Sequence, residues 1–210
     1  MLSVRFSKTA VALALGAFVT FGALPAAQAQ DANAQRVRVR GTIENLAGST
    51  LTVKTREGTT AAVALKSGFR VGTVRKASAD DIKPGDFVGI ASLPGATGDA
   101  ALEVVIFPAS MKGTGEGSRP WDLKPNSTMT NATVANAVKA VAGHTITLAY
   151  QGKEKKITIP TSAPIVALAP ASSADLKPGA PVFMQAERGA DGTMSATQLV
   201  VGKNGVAPPM

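Results

Sequence analysis

The chain is 210 residues long, contains no cysteine, and carries 22 basic against 14 acidic side chains, a formal net charge of +8. The lack of cysteine excludes a disulfide scaffold and a lipoprotein anchored through an acylated Cys. The modest positive charge suits contact with an anionic surface such as lipid head groups or acidic glycans, and equally suits a plain exterior with more Lys than Glu.

Residues 1–29 read as a secretory signal peptide. Arg5 and Lys8 form a positive start, residues 9–24 are almost wholly apolar, and Pro25 ends the run. Ala27 and Ala29 supply the small side chains that signal peptidase requires, which predicts cleavage before Gln30. The apolar run is marginally short for a span and is followed by a cleavage motif, not by a basic stop. The rest, residues 30–210, keeps a charge of +6. No later apolar run is long enough for a membrane helix, so a soluble periplasmic or secreted protein is expected, not an integral membrane protein.

Beyond the signal the chain repeats itself. Residues 41–53 line up with 136–148 at an offset of 95, and from Gly58 the offset is 94, so that Gly58 meets Gly152 and Val63 meets Ile157. The sharpest match is Asp-Ile-Lys-Pro-Gly at 81–85 against Asp-Leu-Lys-Pro-Gly at 175–179. The repeats run over 36–107 and 132–203, with a connecting segment at 108–131 and a tail at 204–210.

Each repeat alternates like short strands with one buried face. In the first, Val37, Val39 and Ile43 alternate with Arg36, Arg38, Arg40 and Thr42. Leu51 and Val53 follow across a turn at 47–49, then Val63 and Leu65. Residues 78–82 read as one capped helical turn with Ser78 as N-cap. The Lys-Pro-Gly turn and two further strands, 87–90 and 102–107, complete the unit. The expected fold is therefore all-β: two tandem small β-barrels, OB-like or SH3-like, since closure removes exposed strand edges. A β-sandwich is the alternative.

The connecting segment belongs to neither repeat and holds the only tryptophan, Trp121. Its Gly-rich half at 112–118 suggests mobility. The stretch Arg119, Pro120, Trp121, Asp122, Leu123 suggests an anchor, because Trp and Leu gain by burial. Either Trp121 plugs the seam between the barrels, or it forms a binding site there with Glu116, Arg119 and Asp122.

The segment at 112–123, the following 126–134 and the twice-used Lys-Pro-Gly turn resemble exported bacterial proteins of the family called domain of unknown function 5666. The resemblance covers nearly the whole chain after the signal. It implies no settled activity and no catalytic residues. Some relatives are labelled metal-transporter permeases, a role that a chain without spans after its signal does not fit.

Catalytic and metal chemistry find little to stand on. His144 is the only histidine. It aligns with Ser49 and reads as an exposed turn residue, so a zinc site or a Ser-His-Asp triad lacks partners. Met111, Met129, Met184, Met194 and Met210 are scattered, without the close pairs a copper(I) site would use. Asp80 and Asp81 read as capping acids. The glycines at 113–117 lack the Gly-Lys-Ser/Thr ending of a phosphate loop. Few aromatics are present to stack bases, which argues against nucleic acid. The expectation is a non-enzymatic periplasmic or secreted binding protein without cofactor. Its partner would be an envelope protein or an anionic envelope surface. The alternatives are envelope metal handling, copper or another cation, and an unrecognised hydrolase.

Overall fold

A computed structural model describes residues 35–95, 98–140 and 143–209. The signal reading of residues 1–29 falls outside these. The described chain is all-β, as the alternation predicts. Its strands are β1 (Gln35–Ala47), β2 (Thr50–Thr55), β3 (Thr60–Lys76), β4 (Phe87–Leu93), β5 (Asp99–Ile106), β6 (Gly117–Pro120), β7 (Thr128–Ala140), β8 (Gly143–Tyr150), β9 (Lys153–Pro160), β10 (Ile165–Pro170), β11 (Pro181–Arg188) and β12 (Met194–Val201). Among the described residues no helix is long and apolar enough to cross a membrane.

Two rings of five strands close. In the first, β1 pairs with β2, β2 with β3, β3 in parallel with β12, β12 with β11, and β11 with β1. In the second, β7 pairs with β8, β8 with β9, β9 in parallel with β5, β5 with β4, and β4 with β7. Numbered within one repeat, each ring runs 1-2-3-5-4, a five-stranded Greek-key barrel of the OB-like kind.

The barrels do not coincide with the repeats, which corrects the assignment of one barrel to 36–107 and the other to 132–203. Each repeat builds three strands of one barrel and then hands its last hairpin to the other. β4 and β5, from the first repeat, complete the barrel of β7–β9. The hairpin β11–β12, from the second, completes that of β1–β3. The crossing strands meet at a local two-fold axis. There Val74 of β3 lies opposite Leu168 of β10, its own repeat counterpart. Val74, Val105 and Val166 are buried around this axis, with Leu168, Phe107 and Val200 against them. β3 runs unbroken through its crossing. The second repeat's version is split into β9 and β10, where Pro160 and Pro164 can donate no ladder bonds.

The repeat alignment also needs one correction. Ile43 pairs with Val53, and Val134 with Leu148. Val53 and Leu148 are counterparts, so the first strands correspond at an offset of 91, not 95. The β7–β8 ladder continues two rungs further, to Lys139 opposite His144 and Ala140 opposite Gly143. His144 is consequently a half-buried strand residue and not an exposed turn residue. A slip of four positions is even and keeps every side chain on its face, so alternation alone could not detect it.

Each barrel has its own core. Val39, Ile43, Leu51, Val53, Val63, Met184 and Leu199 fill the first. Val88, Ile90, Val134, Ile146, Leu148, Ile157 and Ile159 fill the second. The shared Asp-Ile/Leu-Lys-Pro-Gly motif has a packing role. One-turn 3-10 helices at Ala79–Asp81 and Ser173–Asp175 present Ile82 and Leu176, 3% and 5% exposed, to opposite cores. Asp81 Oδ2 accepts from the Ser78 N–H at 2.8 Å, and Asp175 Oδ2 from that of Ser172 at 3.1 Å, closing both turns alike. Gly85 and Gly179 then take φ of 92° and 85°, which only glycine adopts without strain.

Candidate functional site: the tryptophan seam

The connecting segment is pinned at both ends by equivalent positions on the two barrels. With the corrected offset, Arg40 of β1 corresponds to Asn131 of β7, and both are buried polar residues. Asn131 Nδ2 donates to Thr114 O at 3.2 Å, holding the start of the segment. Arg40 Nη1 and Nη2 donate to the two Asp122 carboxylate oxygens at 3.0 and 2.8 Å, holding its end. Between them β6 adds a short antiparallel strand to the β7 edge. The Trp121 N–H then donates to Ser127 O at 2.8 Å, closing a loop through Asn126 at φ 61°.

This geometry drives Trp121 into the seam, where it is 6% exposed. Its apolar neighbours come from both barrels: Phe183 of β11 on one side, Ala91 of β4 and Met129 of β7 on the other, with Leu102 and Leu123. Burial of this order is worth a few kcal/mol for an aromatic side chain, and it places Trp121 in the seam between the barrels. The pseudo-symmetric position of Phe183 is Gly89, where a Cβ would come within 2.9 Å of Asn131 Oδ1. The seam is thus built once, on one side of the axis.

The ring faces of Trp121 are surrounded by cations. The guanidinium carbon of Arg38 lies 4.0 Å from the ring centroid, that of Arg40 5.5 Å and that of Arg119 5.9 Å. Arg40 also lies 5.2 Å from the Phe183 ring. Such contacts stabilise by roughly 0.5–2 kcal/mol each, more as water is excluded. Among the described residues Asp122 answers two of them: Arg40 through the paired bonds above, and Arg38, whose Nη1 lies 3.5 Å from its Oδ2. Burial alone would raise the Asp122 pKa. The Arg40 hydrogen bonds and the charges of Arg40 and Arg38 outweigh it and hold the carboxyl below its ordinary value. Arg119 is shifted the other way for a cation: burial, and then the charge of Arg38, lower its pKa.

Of the four residues read from the sequence as a site, Arg119, Trp121 and Asp122 come together here. Glu116 stands apart: its Oε1 accepts from the Gln151 backbone N–H at 2.9 Å, fixing the segment to the β8–β9 turn. The Gly-rich stretch is bonded to its surroundings, with Lys112 Nζ donating to Gly85 O at 3.2 Å and Arg119 Nη1 to Gly115 O at 2.9 Å. Arg38, Arg40, Met129 and Phe183 complete the seam and were not read as part of it. The row of Arg36, Arg38 and Arg40 was the available signal. With the corrected offset its counterparts are Ser127, Met129 and Asn131, so the positive charge belongs to one barrel only.

A cleft of about 740 Å³ lies away from the seam, among Ser78, Glu103, His144, Ile159, Ile165 and the tail residues Val206–Pro209. Its imidazole is already engaged, with His144 Nε2 3.1 Å from Asp80 Oδ1. The hydroxyl of Ser78 donates to Asp81 Oδ2 at 3.0 Å instead of meeting the histidine. Among the described residues no three His, Cys, Asp or Glu side chains converge as metal ligands would. No family model, no curated protein and no solved structure matches this chain.

Proposed function

We propose that this chain is a non-enzymatic binding protein of the bacterial envelope, exported by its N-terminal signal, and that it binds its partner at the tryptophan seam through Arg38, Arg119, Trp121 and Asp122. The carrying observation is the crowding of cations around one buried indole: three guanidinium groups are gathered within 6 Å of the Trp121 centroid, and among the described residues Asp122 pairs with two of them, Arg38 and Arg40, and not with Arg119. A purely structural plug needs the indole and its apolar neighbours. It does not need cations crowded against one another at a desolvation cost. The cleft beside His144 supports an enzyme less well, since its histidine and serine are bonded to acids rather than to each other.

The test is retention on an isolated bacterial envelope fraction, comparing wild type with Trp121→Ala and with Arg119→Gln. The proposal expects both variants to lose retention, with Arg119→Gln keeping near wild-type thermal stability. Equal retention of all three proteins, with only the melting temperature of Trp121→Ala reduced, contradicts it.

A further inference from the structure

Arg38 and Arg119 stand on different elements, β1 and β6, and reach the same indole. Each has donors to spare. Arg38 has the Asp122 carboxylate at 3.5 Å and makes no hydrogen bond with the described residues. Arg119 makes one, to Gly115 O. A guanidinium carries five N–H donors in a planar fork suited to two oxygens of a carboxylate or phosphate. The Asp122 carboxylate already takes both of its bonds from Arg40. The Trp121 Nε1–H is also buried without an acceptor among the described residues, and such orphans are uncommon in folded proteins.

We infer that the seam is an oxyanion site, in which a carboxylate or phosphate group of the bound partner is clamped between the Arg38 and Arg119 guanidinium groups against Trp121. This rests on the binding reading above and names its ligand chemistry. A bridging anion relieves the repulsion between the two cations and supplies acceptors to both forks in a partly desolvated place, where charge-assisted bonds are strongest. Arg36, the exposed residue two positions back on the same face of β1 and opposite Glu187 of β11, extends the row by about 7 Å. A repeating polyanion is therefore favoured over a single small ion.

Trp121 is the only tryptophan, so its fluorescence reports on this site alone. The experiment titrates the purified protein with inorganic polyphosphate, with polygalacturonate, and with phosphatidylglycerol vesicles, using phosphatidylcholine vesicles as the neutral control. The inference expects a saturable change in Trp emission that weakens at high salt. Arg38→Gln and Arg119→Gln should each weaken binding by roughly tenfold or more. Arg119→Lys, which keeps the charge but loses the fork, should fall between. Lys177→Gln, which removes the same charge from an exposed turn, should bind like wild type. A response to the soluble polymers points to an anionic glycan or phosphate polymer, and one confined to the lipid to head groups. No saturable response to any anionic probe, or equal weakening by Lys177→Gln and Arg119→Gln, overturns the inference. If envelope retention is nevertheless lost in Arg119→Gln at wild-type thermal stability, the binding reading stands and only the anion chemistry fails.

Discussion

The two barrels share one strand order yet close one end of their interiors with opposite chemistry. In the first, the inward positions there are Val39, Ala61, Ala186 and Met194, an apolar plug. The equivalent positions in the second are Thr130, Lys155, Ser92 and Asp99. Met194 lies opposite Val63 in the first barrel as Asp99 lies opposite Ile157 in the second, which fixes the correspondence. Lys155 Nζ is 2.8 Å from Asp99 Oδ2 and donates to Thr128 Oγ1 at 3.1 Å, while Ser92 Oγ donates to Asp99 at 2.9 Å. One barrel is held shut by apolar packing, the other by a hydrogen-bonded ion pair whose side chains are 19% and 20% exposed. A shared backbone therefore tolerates either solution, provided the polar one is complete.

The largest loss is expected at the seam that joins the barrels. Trp121→Ala should cost about 3–5 kcal/mol in urea unfolding, as for other large buried aromatics. Asp99→Ala comes next, at about 3 kcal/mol, because it strands the Lys155 ammonium in the barrel mouth. The half-buried Met194→Ala at the matching place should cost only about 1 kcal/mol, since it leaves a small cavity and no charge. Rebuilding the polar mouth in the image of the other barrel, with Ser92→Ala, Asp99→Met, Thr130→Val and Lys155→Ala together, should be neutral or stabilise by about 1–2 kcal/mol. A large loss on that exchange would show that the polar plug is more than an alternative closure.

Acid should separate the barrels further. Burial raises the Asp99 pKa, but the Lys155 and Ser92 hydrogen bonds and the Lys155 charge outweigh it and leave it lowered. A carboxyl lowered in the fold contributes stability that is fully present above its unfolded value of about 3.9, and that contribution is lost as pH falls through the folded value. Wild type should therefore lose stability below about pH 4 more steeply than the rebuilt variant, as measured by urea midpoints across the acid range. The smallest effect is expected from Glu116→Gln, which keeps an acceptor for the Gln151 N–H but removes the charge from that exposed bond, and should shift stability by no more than about 0.5 kcal/mol.

Much of this was legible in the sequence. The two-residue alternation gave the strands, the glycines and the Lys-Pro-Gly turns gave the repeat, and the lone tryptophan marked the seam. The hairpin exchange was not legible, because β4–β5 and β11–β12 carry the same inward phase whichever barrel they join. Lys155 reads as an ordinary surface cation until strand closure brings Asp99 beside it. Asp122 lies 82 residues from Arg40, and no local pattern links them. The arginine row was visible, but its counterparts were displaced by the four-residue slip, and its purpose depends on a segment outside both repeats.

The exchange itself is the central claim, since β1, β11, β4 and β7 meet around Trp121 only if each repeat gives its hairpin away. The chain has no cysteine, so introduced pairs report without interference. Ala64 lies beside Ser195 across the parallel β3–β12 contact, at a strand spacing of about 4.8 Å that a disulfide can span. In a repeat closed on itself its neighbour would instead be Ala100, the counterpart of Ser195. The account predicts that Ala64→Cys with Ser195→Cys forms an intramolecular disulfide under mild oxidation, and that Ala64→Cys with Ala100→Cys does not. Closure of the second pair and not the first would contradict it.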